Sequence, residues 1–443
     1  MGTQAKCVPG ETKPTVNKTV NKVLIINCYD SRNKGDAAIV LGTMTALRKA
    51  DPMVCIGLVT LAPEIDGPFY EKYGAEAIAA PTVGMKRPKI LSFWLIVIAV
   101  IIGSLLIRVL GQLPSHPIRA VRTFLQALLD ADVVISCGGG YWQDSWGYAV
   151  LVHLVQLVGA ILSGKPVMAL GISVGPFKRA FYRWTVAYWL NKYRVIVVRE
   201  TISLKMLENL RVFKPETTLG TDMAFALLLS ESENDGHKRT PPQPKHISRP
   251  SATHIGVTVR QWAFPGHHDR QQMQKNYEQA LACALDRLIE ELNAHVYFLP
   301  QVIAEPHDDD RKVARRVLSL MKESDRTVVI EDDLPIHDLI FLISSMDLVI
   351  ATRFHSAILS FLGGVPVVAI EYEHKTSGIM KQMGLDEWVL HIDNVTSDDI
   401  VACCIAIRQK KDALREHILK KVNELSNIAT ENAKVVESLT RRW

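Results

Sequence analysis

The sequence predicts an α/β protein of two doubly wound domains facing each other across a cleft. Two observations carry that expectation. Short apolar runs alternate with longer segments of helical period twice over, from Lys22 to about Asp222 and again from Ile255, the pattern of parallel strands wrapped by helices. Between the two alternations lies SESENDGHKRTPPQPKHISRPSAT, Ser230 to Thr253, polar and rich in Pro, which reads as a linker. A length of 443 residues also suits two cores of roughly 200 residues each better than one. The expected organisation is a disordered arm at 1–21, a first domain at 22–229 with a hydrophobic insertion at 90–110, the linker at 230–253, a second domain at 254–396 and a helical tail at 397–443.

In the first half the strands are expected at Val23–Cys28, Val54–Leu61, Val133–Cys137, Val167–Ile172, Val195–Val198 and Thr218–Asp222. Helices are expected at Asp36–Lys49, Tyr148–Ser163, Arg179–Tyr193 and Ser203–Asn209. The second half offers strands at Ile255–Val259, Val296–Leu299, Thr327–Ile330, Leu348–Ala351 and Val365–Ile370. The tail from Ser397 runs without Gly or Pro and reads as helix that packs back across the first domain.

Composition excludes several classes. A formal charge of +5, with no basic stripe interleaved with aromatics, gives no reason to expect nucleic acid as a partner. Seven cysteines form no C-x-x-C pair, and Cys28, Cys55 and Cys137 fall in or beside strand-like runs, which suits a reducing, cytoplasmic setting. The first twenty residues hold no apolar h-region of a secretory signal. His267, His268 and Asp269, and His307 with Asp308 to Asp310, read as solvated loops and helix starts, so neither metal nor cofactor is expected.

Ile90 to Ile107 is an uncharged run long enough to be weighed as a membrane helix. A single crossing would split one sheet across the bilayer, because strands of the same domain lie on both sides of it. A helix or hairpin in the membrane interface is therefore expected, peripheral on the inner face, with Lys86, Arg87, Lys89, Arg108, Arg119 and Arg122 meeting anionic headgroups. Burial within the protein or at a subunit contact is the competing reading, and homo-oligomerisation stays open.

The chemistry is concentrated in loops that follow strands. Arg353 and His355 lie on a strand-to-helix turn, where free amides and the helix dipole favour phosphate or carboxylate. A local salt bridge and a helix-start residue would account for the same two side chains. The first loop carries Gly35 and Asp36, the latter able to cap a helix or to serve as a base. The second, SCGGGYWQD, sets Gly138, Gly139 and Gly140 after a strand, followed by Asp144. Arg199, Arg260 and Gln301 end further strands. Neither glycine loop has dinucleotide or P-loop spacing.

In this order the segments NKGDAAI, GGGYWQD, GISVGP, VRETIS, DMAF, RFHS and YEHK resemble the polysaccharide pyruvyl transferase family, from about Asn21 to Met380. The resemblance implies two Rossmann-like domains in a GT-B-like arrangement. It implies transfer of a pyruvyl group from phosphoenolpyruvate to two hydroxyls of a glycan or lipid-linked saccharide, forming a cyclic ketal. On that reading Arg353 binds donor phosphate or carboxylate, His355 is the general acid, and Asp36 and Asp144 orient or activate the acceptor. Arg199, Arg260, Lys375, Ser356, Gln301 and the glycines Gly138 to Gly140 complete the substrate site. Two other readings stand beside it: a GT-B nucleotide-sugar glycosyltransferase, and a non-catalytic membrane-associated scaffold in glycan assembly.

Overall fold

The apolar runs build two parallel sheets in this computed structural model, which describes residues 22–84, 90–113, 118–144, 147–228, 252–304 and 308–440. The arm expected at 1–21 and nearly all of the 230–253 linker lie outside the described residues; at the linker's end Thr253 already begins a strand.

The first sheet contains β1 (Lys22–Cys28), β2 (Cys55–Thr60), β3 (Ala75–Ala79), β4 (Val133–Ser136), β5 (Gly139–Trp142), β6 (Val167–Val174), β7 (Val195–Val198) and β8 (Glu216–Leu219). Its order is β3-β2-β1-β4-β6-β7-β8, with β5 paired to β6. The second contains β9 (Thr253–Thr258), β10 (Ala294–Phe298), β13 (Thr327–Val329), β14 (Leu348–Ala351), β15 (Val367–Glu371) and β16 (Val389–His391), ordered β13-β10-β9-β14-β15-β16. Between β10 and β13, β11 (Ile303–Ala304) and β12 (Asp308–Asp309) form a small antiparallel ribbon.

Each sheet reverses its order once, between β1 and β4 and between β9 and β14. Ligands of open α/β sheets bind beyond the strand carboxyl ends at such reversals. Of the loops of the predicted site, those after β1, β4, β9 and β14 leave the sheets at these two places.

The helices are α1 (Lys34–Ala50), α2 (Pro63–Glu71), α3 (Ile90–Leu110), α4 (Arg119–Asp130), α5 (Ala149–Leu162), α6 (Ala180–Leu190) and α7 (Thr201–Asn209) on the first sheet. On the second are α8 (Arg270–Leu292), α9 (Asp310–Leu320), α10 (Ile336–Ser344), α11 (Phe354–Leu362), α12 (Lys375–Met383) and α13 (Ser397–Gln409). Helices α3 to α7 share one face of the first sheet and pack there around Ile96, Val100, Phe124, Leu157, Val186 and Leu207. The other face packs on α1 and a 3-10 turn at Met223–Leu227.

Two devices stand out among the contacts that join the lobes. Asn33 makes an antiparallel bridge to Val302, flanked by Lys34 N–H donating to the Gln301 carbonyl (2.8 Å) and Ile303 N–H to that of Arg32 (3.2 Å). The long α14 (Lys411–Thr440) straps the back: His417 bonds the Met383 carbonyl (2.7 Å), while Asn432 lies against Gly220 so closely that a Cβ there would meet its Nδ2 at 2.4 Å. The tail is two helices, broken at Lys410.

Candidate active site

Arg199 ends β7 and is 3% exposed. Its Nη1 donates to Asp222 Oδ2 (2.6 Å), its Nε to Ser173 Oγ (2.7 Å), and its guanidinium lies 4.6 Å from the Phe354 ring of the other lobe. Asp222 caps the 3-10 turn through Ala224 N–H (2.9 Å), and this cap replaces the strand end expected at Thr218–Asp222. Burial works to raise the Asp222 pKa, but Arg199 and His355 beside it hold the carboxyl well below the usual carboxylate range.

His355 reaches across from α11 to within 3.6 Å of that same Asp222 oxygen, and its Nε2 is buried without a hydrogen-bond partner. Its position is set by Gly35: a Cβ there would stand 2.1 Å from the imidazole Nδ1, so only glycine lets the first loop seat against the ring. Burial lowers the His355 pKa, Asp222 pulls it up, and Arg199 and Lys375 push it down again; the net is a neutral-leaning imidazole. Asp36, one residue beyond Gly35, is pushed up to about 7 by burial, with Lys375, Arg199 and Arg353 opposing and Asp222 adding to the rise.

The remaining cations lie over aromatic rings. Arg260, just past β9, lies 4.7 Å from Trp262 and 4.0 Å from Tyr372, and makes no carboxylate ion pair among the described residues. Lys375 pairs with Glu373 (2.7 Å) and sits 5.7 Å from Tyr372 and 5.8 Å from Phe354. Burial would raise the Tyr372 phenol, but Arg260 and Lys375 outweigh it and bring its pKa below the ordinary value. Gly140 opens beside Arg199, where a Cβ would lie 3.7 Å from Nη2; Gly139 takes φ 136°, and Gly138 packs under Ile39.

Other expected residues are occupied differently. Arg353 is tied within its own lobe, with Nη2 on Asp308 Oδ1 (2.7 Å) and on Asp310 Oδ1 (2.5 Å) and Nε on Asp310 Oδ1 (3.1 Å). Burial opposes its charge, yet Asp310 and Asp308 raise its pKa. The run read as a solvated loop thus holds a buried carboxylate, Asp310, 1% exposed, whose Oδ2 also accepts from Gln301 and Val302 N–H (3.0 Å each). Asp309 caps α9 through Arg311 N–H (3.0 Å), as expected of a helix start, and His307 lies outside the described residues.

Ser356 is buried in a Thr258–Ser356 hydroxyl pair (2.7 Å) that fixes the β14–α11 turn. Asp144 Oδ2 accepts from Lys178 and Arg179 N–H (2.8 and 2.7 Å), clamping the loop after β6. The Gln301 side-chain amide is 1% exposed with neither polar atom partnered. Among the described residues no group of three or more His, Cys, Asp or Glu gathers as a metal site.

Two Rossmann-like lobes facing each other define a GT-B-like architecture, and solved structures agree on the fold. A UDP-GlcNAc 2-epimerase from Neisseria meningitidis superposes with TM-score 0.61 at 12% identity, covering 94% of this chain and 99% of that one. A glycosyltransferase from Rickettsia africae gives 0.59 at 10% identity, over 96% and 99%. HepE of Anabaena, solved with UDP and glucose, gives 0.58 at 13%, over 95% and 99%. At these identities the likeness is one of fold alone.

The chain belongs to the polysaccharide pyruvyl transferase family, whose model matches residues 33–374. The amylovoran biosynthesis protein AmsJ of Erwinia amylovora is 27% identical over 416 residues, spanning 91% of this chain and 96% of that protein.

Proposed function

We propose that the enzyme moves the pyruvyl group of phosphoenolpyruvate onto two hydroxyls of one sugar in a glycan or lipid-linked saccharide, giving a cyclic ketal and inorganic phosphate. The observation that carries this reading is the gathering of Arg199, Arg260 and Lys375, from both lobes, around His355 and Asp36. A donor with about three negative charges requires several cations at close quarters. Among the described residues Arg260 makes no ion pair, though Glu373 lies near enough for Arg260 to help lower its pKa, and Lys375 pairs with Glu373. Arg353 offers the donor the guanidinium edge now held by Asp308, the more exposed of its two partners.

Donor binding brings negative charge beside His355, which raises its proton affinity and turns a neutral imidazole into an acid. Its proton passes to the donor methylene carbon, leaving an oxocarbenium-like centre at the enol carbon. Asp36 takes the proton of the first attacking hydroxyl; the second hydroxyl closes the ring as the carbon–oxygen bond to phosphate breaks. Two hydroxyl protons are released, one replacing that used to make the methyl group and one leaving with phosphate. Gly140 leaves room for a substrate beside Arg199. Asp144 and Ser356 act by fixing loops, and Gln301 presents an unpaired amide for a substrate oxygen.

The enzyme works from the cytoplasmic side with α3 lying in a membrane interface. Support comes from its apolar length combined with the packing of its other face on α4 and α5, which bars a free crossing. Calorimetric titration is the test: phosphoenolpyruvate should bind where UDP-sugars do not, and phosphate should appear only when an acceptor saccharide is supplied. Heat from a UDP-sugar with none from phosphoenolpyruvate would overturn the assignment.

A further inference from the structure

The helix that follows β6 carries a pattern the cleft does not use. Residues 178–194, KRAFYRWTVAYWLNKYR, hold five Lys or Arg, six aromatic side chains and no carboxylate. The deficit is wider: from 77 to 199 there are thirteen Lys and Arg against Asp130, Asp132 and Asp144. Asp144 is buried on backbone amides, and Asp130 pairs with Lys22. Helix α6 buries Tyr182, Val186 and Leu190 against the sheet and leaves Phe181 (61%), Trp184 (70%) and Tyr188 (48%) exposed at i, i+3 and i+7. Exposed Lys178, Arg179, Arg183 and Lys192 flank them, with Lys192 5.0 Å from the Tyr188 ring.

The same helical layer holds α3, joined to α6 through α5. There Ile96, Val100 and Ile107 are buried, while Leu91, Trp94, Leu95, Ile98, Ile102, Leu105 and Val109 form the exposed stripe. Aromatic rings with basic neighbours sit at the headgroup level of bilayers, and an acid-free, cationic surface matches anionic lipid.

We propose that the outer surface of this layer is a docking face for an anionic bilayer, with α6 as its electrostatic and aromatic anchor and α3 as its apolar floor. The face stands beside the cleft, because α6 starts directly after the loop clamped by Asp144. It extends the interfacial reading of α3 and is independent of the chemistry assigned to the cleft.

The test is flotation of the purified full chain with phosphatidylcholine vesicles, with and without phosphatidylglycerol, comparing the native protein with Phe181→Ser/Trp184→Ser and with Arg183→Glu/Lys192→Glu, both leaving α3 intact. The native protein should partition to phosphatidylglycerol vesicles at least tenfold more strongly than to phosphatidylcholine alone. Each charge reversal should weaken binding by about fivefold or more, and high salt should release the protein. Unchanged melting temperatures would show that these exposed positions leave the fold intact. Equal binding by the α6 variants, indifference to phosphatidylglycerol, or a dimer in lipid-free solution that the same variants dissociate would each overturn the proposal.

Discussion

Arg199 and Arg353 each follow a parallel strand, one in each lobe, yet they are wired in opposite ways. Each lies just past the carboxyl end of a parallel strand and is buried. Arg199 looks across the cleft: its partner Asp222 is shared with His355, and its guanidinium rests over Phe354 of the other lobe. Arg353 looks inward, to Asp308 and Asp310, and through Asp310 it stiffens the Gln301–Val302 segment that bridges to Asn33. A strand-end arginine is therefore defined by which carboxylate finds it, one setting the field of the site and the other bracing the turn that presents it.

The sharpest way to break this contrast is to remove each arginine. Arg199→Ala should abolish measurable phosphate release and cost about 3–5 kcal/mol of stability in denaturant melts, because Asp222 is left buried without its partner. Arg353→Ala should destabilise comparably yet retain more phosphoenolpyruvate affinity by calorimetry; equal loss of affinity in the two variants would erase the distinction.

His355→Ala should lower kcat by about 10²- to 10⁴-fold. Its melting temperature should fall only modestly, by the packing against Gly35 and Phe354 and the 3.6 Å contact with Asp222 that it gives up. A large stability loss would make His355 a structural pivot.

Asp36 separates the two regions by pH. With its carboxyl pushed up to about 7, the ionised base gains population as pH rises through neutrality, so kcat/KM should climb over that range and the limb should vanish in Asp36→Asn. Because the folded pKa lies above the unfolded one, ionisation at high pH costs stability, and Asp36→Asn should be the more stable protein above pH 7 in melts across pH. The smallest effect belongs to Asp308→Asn: freeing one edge of Arg353 should tighten phosphoenolpyruvate binding by a fewfold, and no change would confine Arg353 to bracing.

Much of the fold was legible because central parallel strands are buried on both faces and read as continuous apolar runs, as in Leu348–Ala351 and Val195–Val198. Two edge strands, β3 and β16, escaped for the complementary reason. Ala75–Ala79 carries Glu76, and Val389–His391 spans three residues, so neither differs from loop by composition. In the site, Gly35, Asp36, Arg199, Arg260, His355 and Lys375 were visible as polar or glycine punctuation at strand ends, and the structure gathers them. Asp222 and Tyr372 lay inside quoted motifs, DMAF and YEHK, without a role, and Asp310 was hidden in an acidic run that looked solvated.

By itself the chain determined the alternation of strand and helix, the ends at which charge collects, and the family to which it belongs, because periodicity and local motifs are properties of neighbouring residues. The tertiary structure alone decided that Asp222 serves both Arg199 and His355, that Asp308 and Asp310 claim Arg353, and that α3 and α6 both pack on α5. Those outcomes depend on segments tens to more than a hundred residues apart meeting at fixed distances, and the pairing energy of a buried charge depends on that geometry rather than on composition.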